Sequence, residues 1–134
     1  LLVIHNMGKG CSYCTLWADG LNGIADHLRS RVPFVLVSPD SHEEQKKFAA
    51  SRGWTFPLLS CRNNSFTADM GMEPEPGQTW PGYSTFRKHA GGTIERFAKD
   101  HFGPGDVYCA MWHFLELLPA GPQGWSPKHA YGDS

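Results

Sequence analysis

Cys11 and Cys14, in the stretch NMGKGCSYCTLWADGL (residues 6–21), are the residues best suited by type and spacing to do chemistry. Two thiols two residues apart can close a disulfide, hold a soft metal ion, or pack as small apolar groups. The spacing alone does not choose. Position adds weight, because an apolar run, Leu1 to His5, ends just before the pair and a helical pattern starts just after it. Backbone N–H groups in the first turn of a helix are unpaired and stabilise a negative charge placed there. A thiolate at Cys11 would meet those donors, and Cys14 would lie one turn further in. Lys9 adds a positive charge if its side chain turns toward the sulfur. On this reading Cys11 attacks a disulfide and Cys14 resolves the mixed disulfide by closing on Cys11.

The competing readings ask for different company. A zinc site needs two more ligands at suitable spacing. Cys61 and Cys109 are single, and His5, His27, His42, His89, His101, His113 and His129 are scattered. A copper or zinc module built from Cys11, Cys14 and a distant histidine therefore stands as the alternative, together with a non-catalytic interaction protein whose dithiol is vestigial. Two inert core thiols would leave the strand–helix placement and the flanking Gly8 and Gly10 without a reason.

The surrounding pattern alternates short apolar runs with helical ones. Trp17, Leu21, Ile24, Ala25 and Leu28 form one apolar stripe of a single helix, which Gly20 and Gly23 weaken by roughly 1 kcal/mol each. Pro33 to Val37 has no polar alternation, as in a strand buried on both faces. Ser41 and Glu44 fit a capping box for a second helix that stops at Gly53. Phe56 to Cys61 reads as a third strand, with Pro57 pushing it toward a sheet edge or a strand start. Residues 62–83 show no period and read as a long loop or insertion. Ser84 to Lys88 and Thr93 to Phe97 flank Ala90-Gly91-Gly92 as a hairpin. Asp106 is expected to cap a last helix that buries Val107, Met111, Phe114, Leu115 and Leu118. Residues 119–134 form a Pro/Gly-rich tail, with Trp125 and Tyr131 free to dock. The sum is an α/β chain, expected as a single domain over 1–134, with a central mixed sheet and helices on both faces.

Composition excludes several classes. At 40% hydrophobic and 19% charged residues the chain has the make-up of a globular protein. A net charge of -1 gives no footprint for nucleic acid or an anionic membrane. No apolar run is long enough for a membrane helix. Four cysteines in 134 residues are too few for a disulfide scaffold, so a cytoplasmic location is expected. The chain does not begin with Met and opens inside a strand pattern, which leaves room for a segment upstream.

The order of elements, with CSYC opening the first helix, resembles the thioredoxin fold. More narrowly, GCSYCTLWADGLNGIADHL, RGWTFPLLS, PGYSTFRK and LELLPAG resemble blocks of the bacterial DUF899 family. The resemblance implies a dithiol–disulfide oxidoreductase that uses Cys11 and Cys14, needs no cofactor beyond them, and takes a protein or small-molecule disulfide as its substrate. Two departures stand out. The proline that thioredoxins place beside the dithiol is replaced by Tyr83-Ser84, with Pro81 a few positions early. The buried acid six residues before the first cysteine is replaced by His5, whose imidazole is a candidate proton carrier for Cys14. The Pro-x-x-x-Thr-x-x-Cys arrangement of peroxiredoxins is missing. Trp17 is expected in the core, Asp19 on the solvated surface, Cys61 and Cys109 outside the chemistry. Tyr108 and Trp112 offer a face for a homodimer.

Overall fold

The computed structural model describes residues 1–132; the last two residues of the expected tail, 133 and 134, lie outside them. A five-stranded mixed sheet forms the centre, in the order β3-β2-β1-β4-β5. Its strands are β1 (Leu2–His5), β2 (Phe34–Ser38), β3 (Leu58–Ser60), β4 (Gly82–Lys88) and β5 (Ile94–His101). β1, β2 and β3 run parallel, while β4 pairs antiparallel with both β1 and β5. The helices are α1 (Ser12–Gly23), α2 (Ala25–Arg31), α3 (His42–Arg52), α4 (Phe66–Asp69) and α5 (Ala110–Glu116). Among the described residues no helix is long and apolar enough to cross a membrane.

Because β1, β2 and β3 step in one direction across the sheet, right-handed crossovers carry their connecting helices to the same face. There Ile4, Phe34, Leu36 and Tyr83 meet Cys14, Trp17 and Ala18 of α1, Ala25 of α2, and Trp112 and Leu115 of α5. α3 joins that side through Gln45, whose amide donates to Ser38 Oγ at 2.8 Å. Val3, Val35 and Val37 point the other way and pack with Phe66 of α4 and Phe86. All five residues of β2 are buried, as its unbroken apolar run requires. The fold is α/β and thioredoxin-like, with far more helix on one face than on the other.

Several expectations are corrected. The single helix from Trp17 to Leu28 is two, broken at Ile24. Asn22, in the last turn of α1, holds the connection from α3 to β3: its amide donates to the Gly53 carbonyl at 3.0 Å and its oxygen accepts from Thr55 N at 2.8 Å. Ile24 is left 48% exposed. The loop at 62–83 contains α4 and a fully buried Met72, so it is a packed segment. The last helix starts at Ala110, with Cys109 at its N-cap position. Val107, Phe114 and Leu118 lie outward, and the buried residues of the helix are Trp112 and Leu115, which pack in the main core. Of the proposed dimer face, Tyr108 is exposed and Trp112 is not.

β4 begins two residues before its expected start. Gly82 pairs with both His5 and His101, and only glycine fits, since a Cβ there would lie 2.5 Å from the Asp100 carbonyl oxygen. Pro81 therefore stands immediately before the strand that opens the hairpin.

Candidate active site

The loop between β1 and α1 is fixed before either sulfur is placed. Gly8 has φ +108°, a conformation that favours glycine. Its N–H donates to Asn6 Oδ1 at 2.7 Å, and the Asn6 amide reaches the Cys14 carbonyl at 3.4 Å. The Lys9 N–H donates to Asp40 Oδ2 at 2.7 Å. Cys11 then takes the extended backbone of a helix N-cap, φ -93° and ψ 110°, and its sulfur accepts from Cys14 N–H at 3.3 Å. That is the capping role serine or aspartate usually fills, here performed by a thiol.

The two sulfurs live in different surroundings. Cys11 is partly exposed, whereas Cys14 is fully buried in the main core. The thiol of Cys14 donates to the Cys11 sulfur, and this bond is the largest reason why Cys11 is held down at about 6. Burial opposes the shift; the N–H groups of Cys14 and Tyr13 and the charge of His129 support it. Cys14 is pushed far up, first because its proton is engaged with Cys11 and then by burial, against the Met7 N–H that reaches its sulfur at 3.3 Å. At pH 7 Cys11 is therefore roughly nine-tenths thiolate, against roughly a hundredth for a thiol at 9.0. Since the folded value lies below the ordinary 9.0, the thiolate stabilises the reduced fold fully above pH 9.0 and ceases to as pH falls through about 6.

Cys11 and Cys14 line a groove of about 240 Å³ with Met7, Tyr13, Trp17, Pro81, Phe102, Gly103 and Pro104, and of the two only Cys11 is exposed to solvent. No wall residue is charged. Pro81 thus reaches the dithiol despite its early position in the sequence, because β4 itself starts early. Asp106 holds the far wall. Its carboxylate accepts from Trp17 Nε1 at 3.1 Å, Gly103 N at 2.9 Å and Tyr108 N at 3.0 Å, so it fastens the 103–108 segment to α1 instead of capping α5.

The structure brings Cys11 and Cys14 together but not His5. His5 follows Val3 onto the opposite face of the sheet from Ile4 and Cys14, as strand alternation demands. Its ring stacks on Phe66 with centroids 5.8 Å apart, and Nε2 pairs with Ser84 Oγ at 2.8 Å. Burial first, then the charge of Arg96, lowers its pKa to about 4, so the ring is neutral at pH 7. A His5→Gln variant is expected to leave the pH profile of Cys11 alkylation unchanged and Cys14 still unmodified, measured by mass spectrometry. A displaced profile would return His5 to the mechanism.

Other expected roles move as well. The Lys9 ammonium turns away from the sulfur to Glu44, 3.0 Å off. Asp19 is not a merely solvated acid: it binds Arg52 at 2.5 Å and accepts from Trp54 Nε1 at 2.8 Å. Cys61 accepts from Thr67 Oγ1 at 3.1 Å, and Cys109 is raised by burial against the core. Among the described residues no group of three His, Cys, Asp or Glu side chains is arranged to hold a metal ion.

With this geometry in hand, the comparisons with known proteins become informative. A family model described as a bacterial protein of unknown function, DUF899, matches residues 2–131. The chain belongs to the DUF899 family. No curated protein matches it. Among solved structures, this DUF899 chain is similar to the peroxidoxin BcpB from Mycobacterium tuberculosis, with a TM-score of 0.57 and 22% identity over 75% of this chain. It spans 66% of that chain's length. A hypothetical protein, SMc02350, from Sinorhizobium meliloti 1021 aligns over 96% of this chain and 72% of its own, at 14% identity and a TM-score of 0.50. At these identities the likeness is one of fold.

Proposed function

We propose that this DUF899 protein exchanges thiols and disulfides through Cys11 and Cys14. The observation that carries the reading is the division between the sulfurs: an accessible, ionised Cys11 at a helix start, bonded to a buried, protonated Cys14. In the reducing direction the Cys11 thiolate attacks one sulfur of a substrate disulfide. The substrate S–S bond breaks, one substrate sulfur leaves as a thiolate, and a mixed disulfide forms on Cys11. Cys14 then gives up its proton, which passes to the departed thiolate, and attacks Cys11 Sγ. The second substrate sulfur leaves as the Cys11–Cys14 disulfide closes. Two electrons pass from the protein to the substrate, and the reverse sequence oxidises a dithiol. The Met7 N–H, 3.3 Å from Cys14 Sγ, stabilises the charge that appears there in the second step.

Depression of Cys11 favours the reduced protein, because the disulfide has no thiolate to stabilise. Moving one thiol from 9.0 to about 6 stabilises the dithiol at pH 7 by about 1.4 kcal/mol, or about 30 mV toward the oxidising side. The reaction uses no group beyond the two sulfurs, and its substrates are disulfides of proteins or small molecules. Oxidation of the chain followed by peptide mapping is expected to give a Cys11–Cys14 disulfide that dithiothreitol reopens, with Cys61 and Cys109 still free. Finding both Cys11 and Cys14 free after oxidation, or paired elsewhere, would contradict the proposal.

A further inference from the structure

Building on the exchange reading above, we infer that His129, returned to the site by the C-terminal segment, is a positioning residue that sets the charge and the backbone around the Cys11 sulfur. The segment after α5 folds back over the molecule. Trp125 packs edge-on to Trp112 with centroids 6.1 Å apart, and Pro127 is buried. Arg52 of α3 donates to the His129 carbonyl, and Arg52 is itself held by Asp19 of α1. These ties deliver the ring to the loop that carries Cys11. There Nε2 lies 2.7 Å from the Lys9 carbonyl oxygen, two residues before the sulfur, and the ring sits edge-on to Phe48 at 5.9 Å. A carbonyl only accepts, so Nε2 carries the hydrogen.

The charges nearby leave this role to His129. Lys9, the cation closest in sequence, is engaged by Glu44 at 3.0 Å. Arg52 from α3 is paired with Asp19. On the segment itself, the backbone N–H of Lys128 donates to the Tyr131 hydroxyl at 3.1 Å, which fixes the chain beside His129 and leaves the exposed Lys128 ammonium unengaged by that bond. The charge of His129 acts on Cys11 in the direction that favours the thiolate. The Lys9 bond also steadies the Lys9-Gly10-Cys11 backbone in the geometry that aims the sulfur at the groove.

The test compares wild type, His129→Gln and His129→Lys as full-length reduced chains. Iodoacetamide alkylation of Cys11 is followed against pH by mass spectrometry, with circular dichroism as a check of folding. Glutamine keeps a donor for the Lys9 carbonyl without the charge; lysine keeps both. The Gln variant is expected to titrate at higher pH and react about threefold to tenfold more slowly near pH 6, while the Lys variant stays within about twofold of wild type. A low wild-type midpoint that is unchanged in the Gln variant overturns the role of His129, a midpoint raised equally in both variants overturns its charge and leaves only its hold on the Lys9 backbone, and either result leaves the exchange reading standing. A wild-type midpoint at the ordinary thiol value removes both.

Discussion

Replacing Cys11 with serine is expected to abolish disulfide exchange, by at least ~10³-fold in insulin reduction driven by dithiothreitol. A serine hydroxyl is not ionised at neutral pH, and Cys14 does not take over the attack. Its sulfur is fully buried and its proton is held against Cys11. The fold is expected to survive, because the hydroxyl can still accept the Cys14 N–H that caps α1. Cys14→Ser should behave differently: Cys11 still attacks, but the mixed disulfide has no internal thiol to release it and accumulates with substrate. Equal activity in the Cys11→Ser variant and wild type would mean that turnover does not pass through this sulfur.

The largest effect on stability is expected at Trp17. Its ring, 2% exposed, lies 4.9 Å from Phe102 and 5.3 Å from Trp112, centroid to centroid, so it joins α1, the end of β5 and α5. Trp17→Ala removes that packing and one of the three hydrogen bonds to the Asp106 carboxylate, at a cost of about 3–5 kcal/mol in urea unfolding. Trp17→Phe keeps most of the packing and loses the indole bond, so it should cost about 1–2 kcal/mol. Both variants loosen the 103–108 segment and the groove wall it forms beside the sulfurs. A Trp17→Ala loss below about 1 kcal/mol would show that this aromatic cluster is not the core of the site.

Local patterns carried much of this structure in the sequence. The all-apolar run around Phe34–Val37, the Ser41 cap with Gly53, and Pro57 at an edge strand each have a short-range physical cause, and each is found. The dithiol was legible for the same reason, since its placement depends on one loop and one helix start. What escaped depends on distant partners. The break at Ile24 follows the turn of α1 in which Asn22 is tied to Gly53 and Thr55, partners about thirty residues away. Asp106 caps nothing because Trp17 and two loop amides claim it first. His5 counts to the right position but points to the wrong face, since one position along a strand reverses the side chain. His129 lies in a segment whose Pro/Gly composition reads only as a tail, and no local pattern ties it to Cys11.

The account rests on an ionised Cys11 beside a protonated Cys14, and thiol-selective alkylation of the reduced protein across pH tests that directly. The rate at Cys11 should rise with a midpoint near 6 and level off by about pH 7, with Cys14 unmodified throughout. A rate still climbing through pH 8 to 9, or equal labelling of both cysteines, would contradict it.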